Sequence, residues 1–312
     1  MKKLSLILSL LVFSVTQAVA VPDFFEVSGI GSSAQSIRIG NIEGFSSFSN
    51  SIFENPAALY RLNKVSGMLF TSKLMNEVNY LNGSVAYRLK AGVLAFGYFD
   101  ASVSGIPFTE EVFYDDTSEF EATSYFNSTN SLMKVALQLS QSETLHWGIS
   151  GSLFKQSIYT TEGSGMNIDI GLVIDSDPLI LSISLKNIMS SMKVDYTIGG
   201  KENLPLQTVG SMRYTLSDLQ FYGQFKTINS NRLFLKSAGI SYRPSFLSII
   251  EISGGYREVP VLKKTKSRLN GGVGLELTGL QFDYAFEIKL DNDGLDLNEF
   301  NQFHYFSFGF KF

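Results

Sequence analysis

The sequence has no cysteine, a single tryptophan and only two histidines. The first absence excludes disulfides and thiolate-bound metals, so the fold must be held by packing and hydrogen bonding alone. Charge is scarce as well. Asp, Glu, Lys and Arg make up 17% of the chain, against about 25% in ordinary soluble domains. The formal net charge is −4, and without Lys2 and Lys3 it becomes about −6. An acidic chain of this kind is not built to bind nucleic acid. Long hydrophobic runs are missing too. Past the first twenty residues no stretch approaches the roughly 18 uncharged apolar residues of a membrane-spanning helix.

What is present is aromatic side chain, glycine and alternation. There are 26 Phe, 14 Tyr and 27 Gly, the glycines mostly inside strand-like runs. At the C-terminus Phe306, Phe308, Phe310 and Phe312 occupy every second position, with Ser307, Gly309 and Lys311 between them. Alternate side chains of a strand point to opposite faces, so this strand has one aromatic face. Such a final strand suits insertion of an outer-membrane barrel, with Phe308, Phe310 and Phe312 as its insertion signal. At the other end, Met1-Lys2-Lys3 precedes an apolar run from Leu4 to Val15 and the small residues Ala18-Val19-Ala20. That is the order of a signal peptide, predicted over residues 1–20 and cleaved near Val21.

From Val65 onward the alternation predicts strands at 65–74, 79–89, 91–101, 129–140, 145–157, 165–175, 179–187, 205–216, 219–228, 232–243, 247–257, 267–278, 279–290 and 302–312. Fourteen is an even number, as single-chain bacterial barrels have. The connections after even strands are tight, whereas 102–128, 188–204, 258–266 and 291–301 all follow odd strands. Sorting of loop length by parity is the pattern of short periplasmic turns and longer outer loops. The expected fold is all-β: a fourteen-stranded antiparallel transmembrane β-barrel over 65–312, in the bacterial outer membrane. Its polar face would line the lumen, with Asn167, Asp169, Gln220, Gln224, Lys226, Gln281, Asp283, Glu287 and Lys289 as candidates. A barrel of this width is not filled by its own wall side chains.

Residues 21–64 lack alternation and are rich in Gly and Ser. Asn55-Pro56 marks a turn, and Pro56 suits the first position of a short helix. This segment could fold into the lumen as a plug or form a periplasmic arm or a disordered linker, and composition leaves the alternatives open. The run Ser51-Ile-Phe-Glu-Asn-Pro-Ala-Ala-Leu59 resembles the Asn-Pro-Ala hatch signature of the FadL-like superfamily of outer-membrane barrels, with most similarity to its PorV/PorQ and spirochaete-type branch. Arg38-Ile-Gly40, Leu185-Lys-Asn-Ile188, Pro205-Leu206 and Asp283-Tyr-Ala-Phe286 also look like that family. The resemblance implies fourteen strands and an N-terminal hatch containing Asn55, Pro56 and Ala57. It implies passage of long-chain fatty acids or other hydrophobic compounds, or, alternatively, a component of a type IX-type secretion system that contacts an exported protein.

No enzyme is expected. His146 and His304 lie near opposite rims without a nucleophile signature and read as interfacial or surface residues. The acidic loop Asp291–Asp296 fails the spacing of a calcium hand, so no metal and no cofactor are expected. Acidic residues of 102–128 and the cluster Lys263, Lys264, Lys266 and Arg268 read as solvated loops, the latter able to meet lipopolysaccharide. Gly271-Gly272 marks a bend or a close backbone approach. The expected partners are outer-membrane lipids, lipopolysaccharide, the barrel-assembly machinery and a hydrophobic ligand.

Overall fold

The computed structural model describes residues 29–74, 78–114, 117–189, 193–196, 201–229, 233–261, 264–291, 294–295 and 302–312. The predicted signal peptide 1–20, the first residues of the predicted hatch, half of the acidic loop at 291–296, and Asp115, Asp116 and Lys263 of the other predicted loops lie outside them.

Fourteen long antiparallel strands close into a barrel: β1 Val65–Leu74, β2 Val78–Arg88, β3 Val93–Tyr114, β4 Thr117–Ser140, β5 Leu145–Ile158, β6 Thr161–Ser176 and β7 Leu179–Lys186 form one half. β8 Gln207–Leu216, β9 Leu219–Ile228, β10 Leu233–Tyr242, β11 Ile250–Val261, β12 Lys264–Leu277, β13 Leu280–Asp291 and β14 Gln302–Lys311 form the other. The ring closes because β1 pairs with both β2 and β14. Short strands at Lys193–Tyr196, Lys201–Asn203 and Gly294–Leu295 decorate one end. Among the described residues no helix is long and apolar enough to cross a membrane.

Alternation explains the two faces. In β14, Phe303, Tyr305 and Ser307 are buried while Phe306, Phe308 and Phe312 are exposed, Phe306 to 53%. The same holds around the ring, with Leu94, Phe96, Val135, Leu153, Ile183 and Phe225 all turned outward. So much contiguous exposed apolar surface is unsuited to water and suited to hydrocarbon. Phe310 covers Gly67 on the neighbouring strand, where an added Cβ would lie 2.4 Å from its ring. The Phe312 carbonyl accepts from the amides of Lys64 and Val65, and its own amide donates to the Val65 carbonyl. The last residue thus takes part in the seam that closes the ring. Deleting Phe312 removes those hydrogen bonds, and we expect a several-fold lower yield of folded barrel, read as the heat-modifiable band on a gel. An undiminished folded band would reject that role for the seam.

Two connections differ from expectation. Residues 102–128 are mostly strand, because β3 and β4 run on as a two-stranded ribbon to Tyr114↔Thr117, past a register shift between Val103 and Ile106. Residues 258–266 are also mostly strand, since β11 and β12 pair out to Val261↔Lys264. In both, Gly, Pro and charged residues suggest a loop, whereas a hairpin free of the barrel wall can alternate polar residues on both faces.

The tight connections at 177–178, 217–218 and 278–279 define a turn end, which also holds Lys64 and Phe312. The opposite end, with the β3–β4 ribbon, is the loop end.

Candidate functional site

The segment from Gly29 to Leu62 lies inside the ring, and its contacts go right round it. Two short helices, α1 Ala34–Arg38 and α2 Ser51–Glu54, precede a 3-10 turn, Pro56–Arg61. Local chemistry dictates each end. The Ser33 side chain accepts from the Ser36 amide at the start of α1. Asn55 is extended, its side chain accepts from the Ala57 amide, and Pro56 takes the first position of the turn, where no amide hydrogen is needed.

Asn55 Nδ2 also donates to Ser182 Oγ at 2.8 Å and to the backbone carbonyls of Leu172 and Ile183. One side chain thereby caps the turn and pins it to β6 and β7. Ala57 is fully buried. Wall glycines make room for this close approach. A Cβ on Gly148 would lie 2.5 Å from the Pro56 carbonyl carbon, and one on Gly171 would lie 1.8 Å from Asn55 Oδ1. On the far side, Gly239 and Gly255 leave space for Ile39 and Gly40, while Gly272 and Gly274 leave space for Arg38. Gly271 instead faces the Phe286 ring outside.

Three charged residues stand alone in an otherwise neutral stretch from Val27 to Tyr60: Arg38, Glu43 and Glu54. All three are buried. Arg38 Nη1 lies 2.7 Å from Glu251 Oε1 and its Nε 3.4 Å from Asp283 Oδ1. Glu43 receives Lys226 Nζ at 3.0 Å and the Lys186 ammonium. Burial pushes the Glu43 carboxyl up, but the two ammonium groups outweigh it and hold it at about 2. Glu54 instead ties the segment to itself, accepting from Ser32, Ser36, Asn50 and the Gly44 amide. Burial pushes its carboxyl up, against the hydrogen bonds from Ser32, Ser36 and the Gly44 amide.

The Glu43 pairing carries a sign. A depressed folded-state pKa contributes stability above the ordinary carboxylate value, and that contribution is lost as pH falls through the folded value. The segment inside the ring is therefore expected to stay docked to about pH 4.5 and to loosen between there and about pH 2. Limited proteolysis across that window with an acid-active protease would read it. In Glu43→Gln the acid-dependent step should vanish, and an unchanged step would remove Glu43 from the docking.

Above the segment, toward the loop end, lies a cavity of about 90 Å³. Tyr80, Phe99, Leu132, Phe154 and Leu204 give it an apolar wall, and Phe53 of α2 gives it a floor. Lys134 and Asp169, paired at 2.5 Å, line it beside the Glu43–Lys186–Lys226 cluster. Asn41 Oδ1 and Asn82 Oδ1, both lining it, are buried acceptors without a donor among the described residues.

The wall beside this cavity is interrupted. β6 pairs with β7 only to Ile170↔Leu185, and β7 with β8 only to Lys186↔Gln207. Asn187 then turns with φ +60°, its amide donating to Asp169 Oδ1 and its side chain to the Pro205 carbonyl. Beyond it, the Ile188 amide donates to the Ile168 carbonyl and the Met189 amide to Asn167 Oδ1, and the short strand Lys193–Tyr196 rejoins β6 only at Gly163↔Tyr196 and Ser164↔Asp195.

The other residues singled out from the sequence fall around the lumen. Asn167, Asp169, Gln224, Gln281, Asp283 and Glu287 are buried. Gln224 Oε1 accepts from the Glu43 amide at 2.8 Å. Gln220 lies toward the turn end, taking a hydrogen bond from Tyr222. Lys289 is half-buried near the loop end. His304 is exposed and hydrogen-bonds Tyr284 at 2.8 Å. His146 corrects the surface reading. It is 4% exposed, because β5 turns it inward, where the Tyr60 ring stacks on it at 3.7 Å. Sequence reasoning gave Arg38, Glu43, Glu54, Lys134 and Lys186 no role as buried charge partners. Isolated charges in a Gly/Ser-rich stretch were the available signal for the first three.

No family model matches this sequence, and no curated protein matches it. Solved structures do. The monoaromatic hydrocarbon channel CymD is 11% identical with a TM-score of 0.67, covering 91% of this chain and 98% of that one. The Pseudomonas putida toluene transporter TodX gives 11% and 0.57, covering 89% and 96%. A Pseudomonas aeruginosa FadL homologue gives 8% and 0.59, covering 90% and 98%. The chain thus shares the closed fourteen-strand antiparallel barrel fold of these structures over nearly its whole length.

Proposed function

We propose that the protein is an outer-membrane channel for small hydrophobic molecules. The observation that carries this reading is the aromatic-walled cavity closed beneath by the hatch. Its six apolar side chains, four of them aromatic, share the lining with charged and polar ones such as Lys134, Asp169 and Asn82, and apolar contact combined with placed polar groups is how a small-molecule site holds and orients its ligand. The likeness to structures described as hydrocarbon channels supports the same class of ligand. At about 90 Å³ the cavity is well below the roughly 300–1,000 Å³ of sites for drug-sized ligands. A compact, single-ring compound fits that size better than a long-chain fatty acid does. The hatch blocks a straight path, so transit requires it to move or uses the interruption beside Asn187.

Uptake of labelled toluene and palmitate into proteoliposomes tests the proposal. We expect toluene uptake above that of empty vesicles and its loss in Leu132→Glu, which puts a charge on the cavity wall. Uptake no faster than in empty vesicles would sink the reading. A second reading, an outer-membrane partner of exported proteins, draws on the β3–β4 ribbon. Beyond Val103 and Ser128 that ribbon pairs with no neighbouring barrel strand. Toluene-independent capture of one exported protein, lost when the ribbon is shortened, would favour it.

A further inference from the structure

Below the hatch, at the turn end, lies a second cavity of about 140 Å³. Its lining carries three arginines, Arg61, Arg213 and Arg243, against one carboxylate, Glu251. Arg61 comes from the 3-10 turn and Arg213 from β8. Both guanidinium groups contact one ring, with their central carbons 5.9 Å and 5.7 Å from the Phe45 centroid.

The nearby carboxylates are already taken. Glu251 is shared by Arg38 and Arg243, Glu276 by Arg243 and Lys311, and Asp175 accepts from the Tyr60 hydroxyl. Among the described residues neither Arg61 nor Arg213 has an ion-pair partner. Arg61 Nη1 donates to the Gly44 carbonyl at 2.9 Å, but its Nη2 is buried without an acceptor. Arg213 Nε is buried without an acceptor in the same way. Burial pushes the Arg61 guanidinium down and the Arg213 charge adds to that effect, against Tyr60 and Asp175. Two like charges with unsatisfied N–H groups in one enclosed space are costly unless an anion completes them.

We propose that this cavity is an oxyanion site in which Arg61 and Arg213 together hold a carboxylate or phosphate group. A guanidinium presents a planar fork that matches two oxygens of such a group. Ile39, Ile42 and Phe45 border the charges, so the anion is either free in solution or the head of an apolar molecule. The site is on the opposite side of the hatch from the aromatic cavity and stands independently of the transport reading.

Isothermal titration calorimetry on the full-length protein in a maltoside detergent tests it, with inorganic phosphate, hexanoate and hexanol at constant ionic strength. Saturable binding of phosphate or hexanoate is expected, with none for hexanol. Each of Arg61→Gln and Arg213→Gln should weaken it by about tenfold or more, the scale of a lost charge-assisted hydrogen bond. Lys155→Gln, on an exposed ion pair at the loop end, should change nothing. Binding of both anions alike identifies a free oxyanion as occupant, and binding of hexanoate alone identifies an apolar molecule with a charged head. Absence of saturable binding by either anion, equal binding of hexanol, or affinity that survives both substitutions would overturn the proposal. If either Gln variant fails to give a heat-modifiable barrel, Arg61→Lys and Arg213→Lys replace it. They keep the charge, lose the fork and should still weaken binding.

Discussion

Glu287→Ala is expected to destabilise the barrel more than any other single lumen substitution. Glu287 is fully buried and gathers hydrogen bonds from three other strands, β11, β12 and β14. Arg257 Nε and Nη2 donate to it at 2.5 Å and 2.9 Å, Asn270 Nδ2 at 2.6 Å and the Tyr305 hydroxyl at 3.4 Å, with Arg268 as a second cation. Removing it leaves two guanidinium groups facing each other in the lumen without a counter-charge. Breaking a buried pair in this way costs about 3–5 kcal/mol. Replacing Glu287, Arg257 and Arg268 together by apolar residues should cost much less, because no orphan charge remains. The temperature at which the folded band converts on heating reads both. Equal temperatures for wild type and Glu287→Ala would show that water already screens the cluster.

Gly148→Val and Gly255→Val are expected to open the barrel while leaving its wall intact. Valine suits a strand, so the wall itself should tolerate the change. The hatch should not. A Cβ on Gly255 would lie 2.3 Å from the Gly40 amide nitrogen and 2.4 Å from the Ile39 carbonyl carbon, and one on Gly148 2.6 Å from the Ala57 nitrogen. These are backbone atoms, which cannot rotate away as a side chain would. The double variant should keep its heat-modifiable band, gain protease cleavage between residues 29 and 62, and admit small sugars in a liposome-swelling assay several-fold faster than wild type. Swelling that stays at the wild-type rate, with the hatch protected, would show that the wall yields instead.

How much of this was legible beforehand differs by element. The strands were, because a lipid-facing wall forces strict alternation: Leu280, Phe282 and Phe286 against Gln281, Asp283 and Glu287 can be read without coordinates. The extended hairpins were not, since a ribbon solvated on both faces has no apolar face to betray it. His146 was misjudged for a related reason. Its strand register pointed inward, but whether anything inside would cover it depended on Tyr60, eighty-six residues earlier.

The sequence by itself determined the class of fold, because period-two patterning, loop parity and the aromatic final strand depend only on neighbours along the chain. It also marked Asn55-Pro56 as a turn with Pro56 at the first helical position, because the missing amide hydrogen and fixed φ of proline are local properties. Tertiary structure alone decided which charges meet. Glu43 with Lys186 and Lys226, Arg38 with Glu251 and Asp283, and the unpaired Arg61 beside Arg213 are brought together by the folding of one segment into a closed ring. Pairings of that kind join residues up to 245 positions apart (Arg38 and Asp283), and nothing in a single sequence encodes them locally.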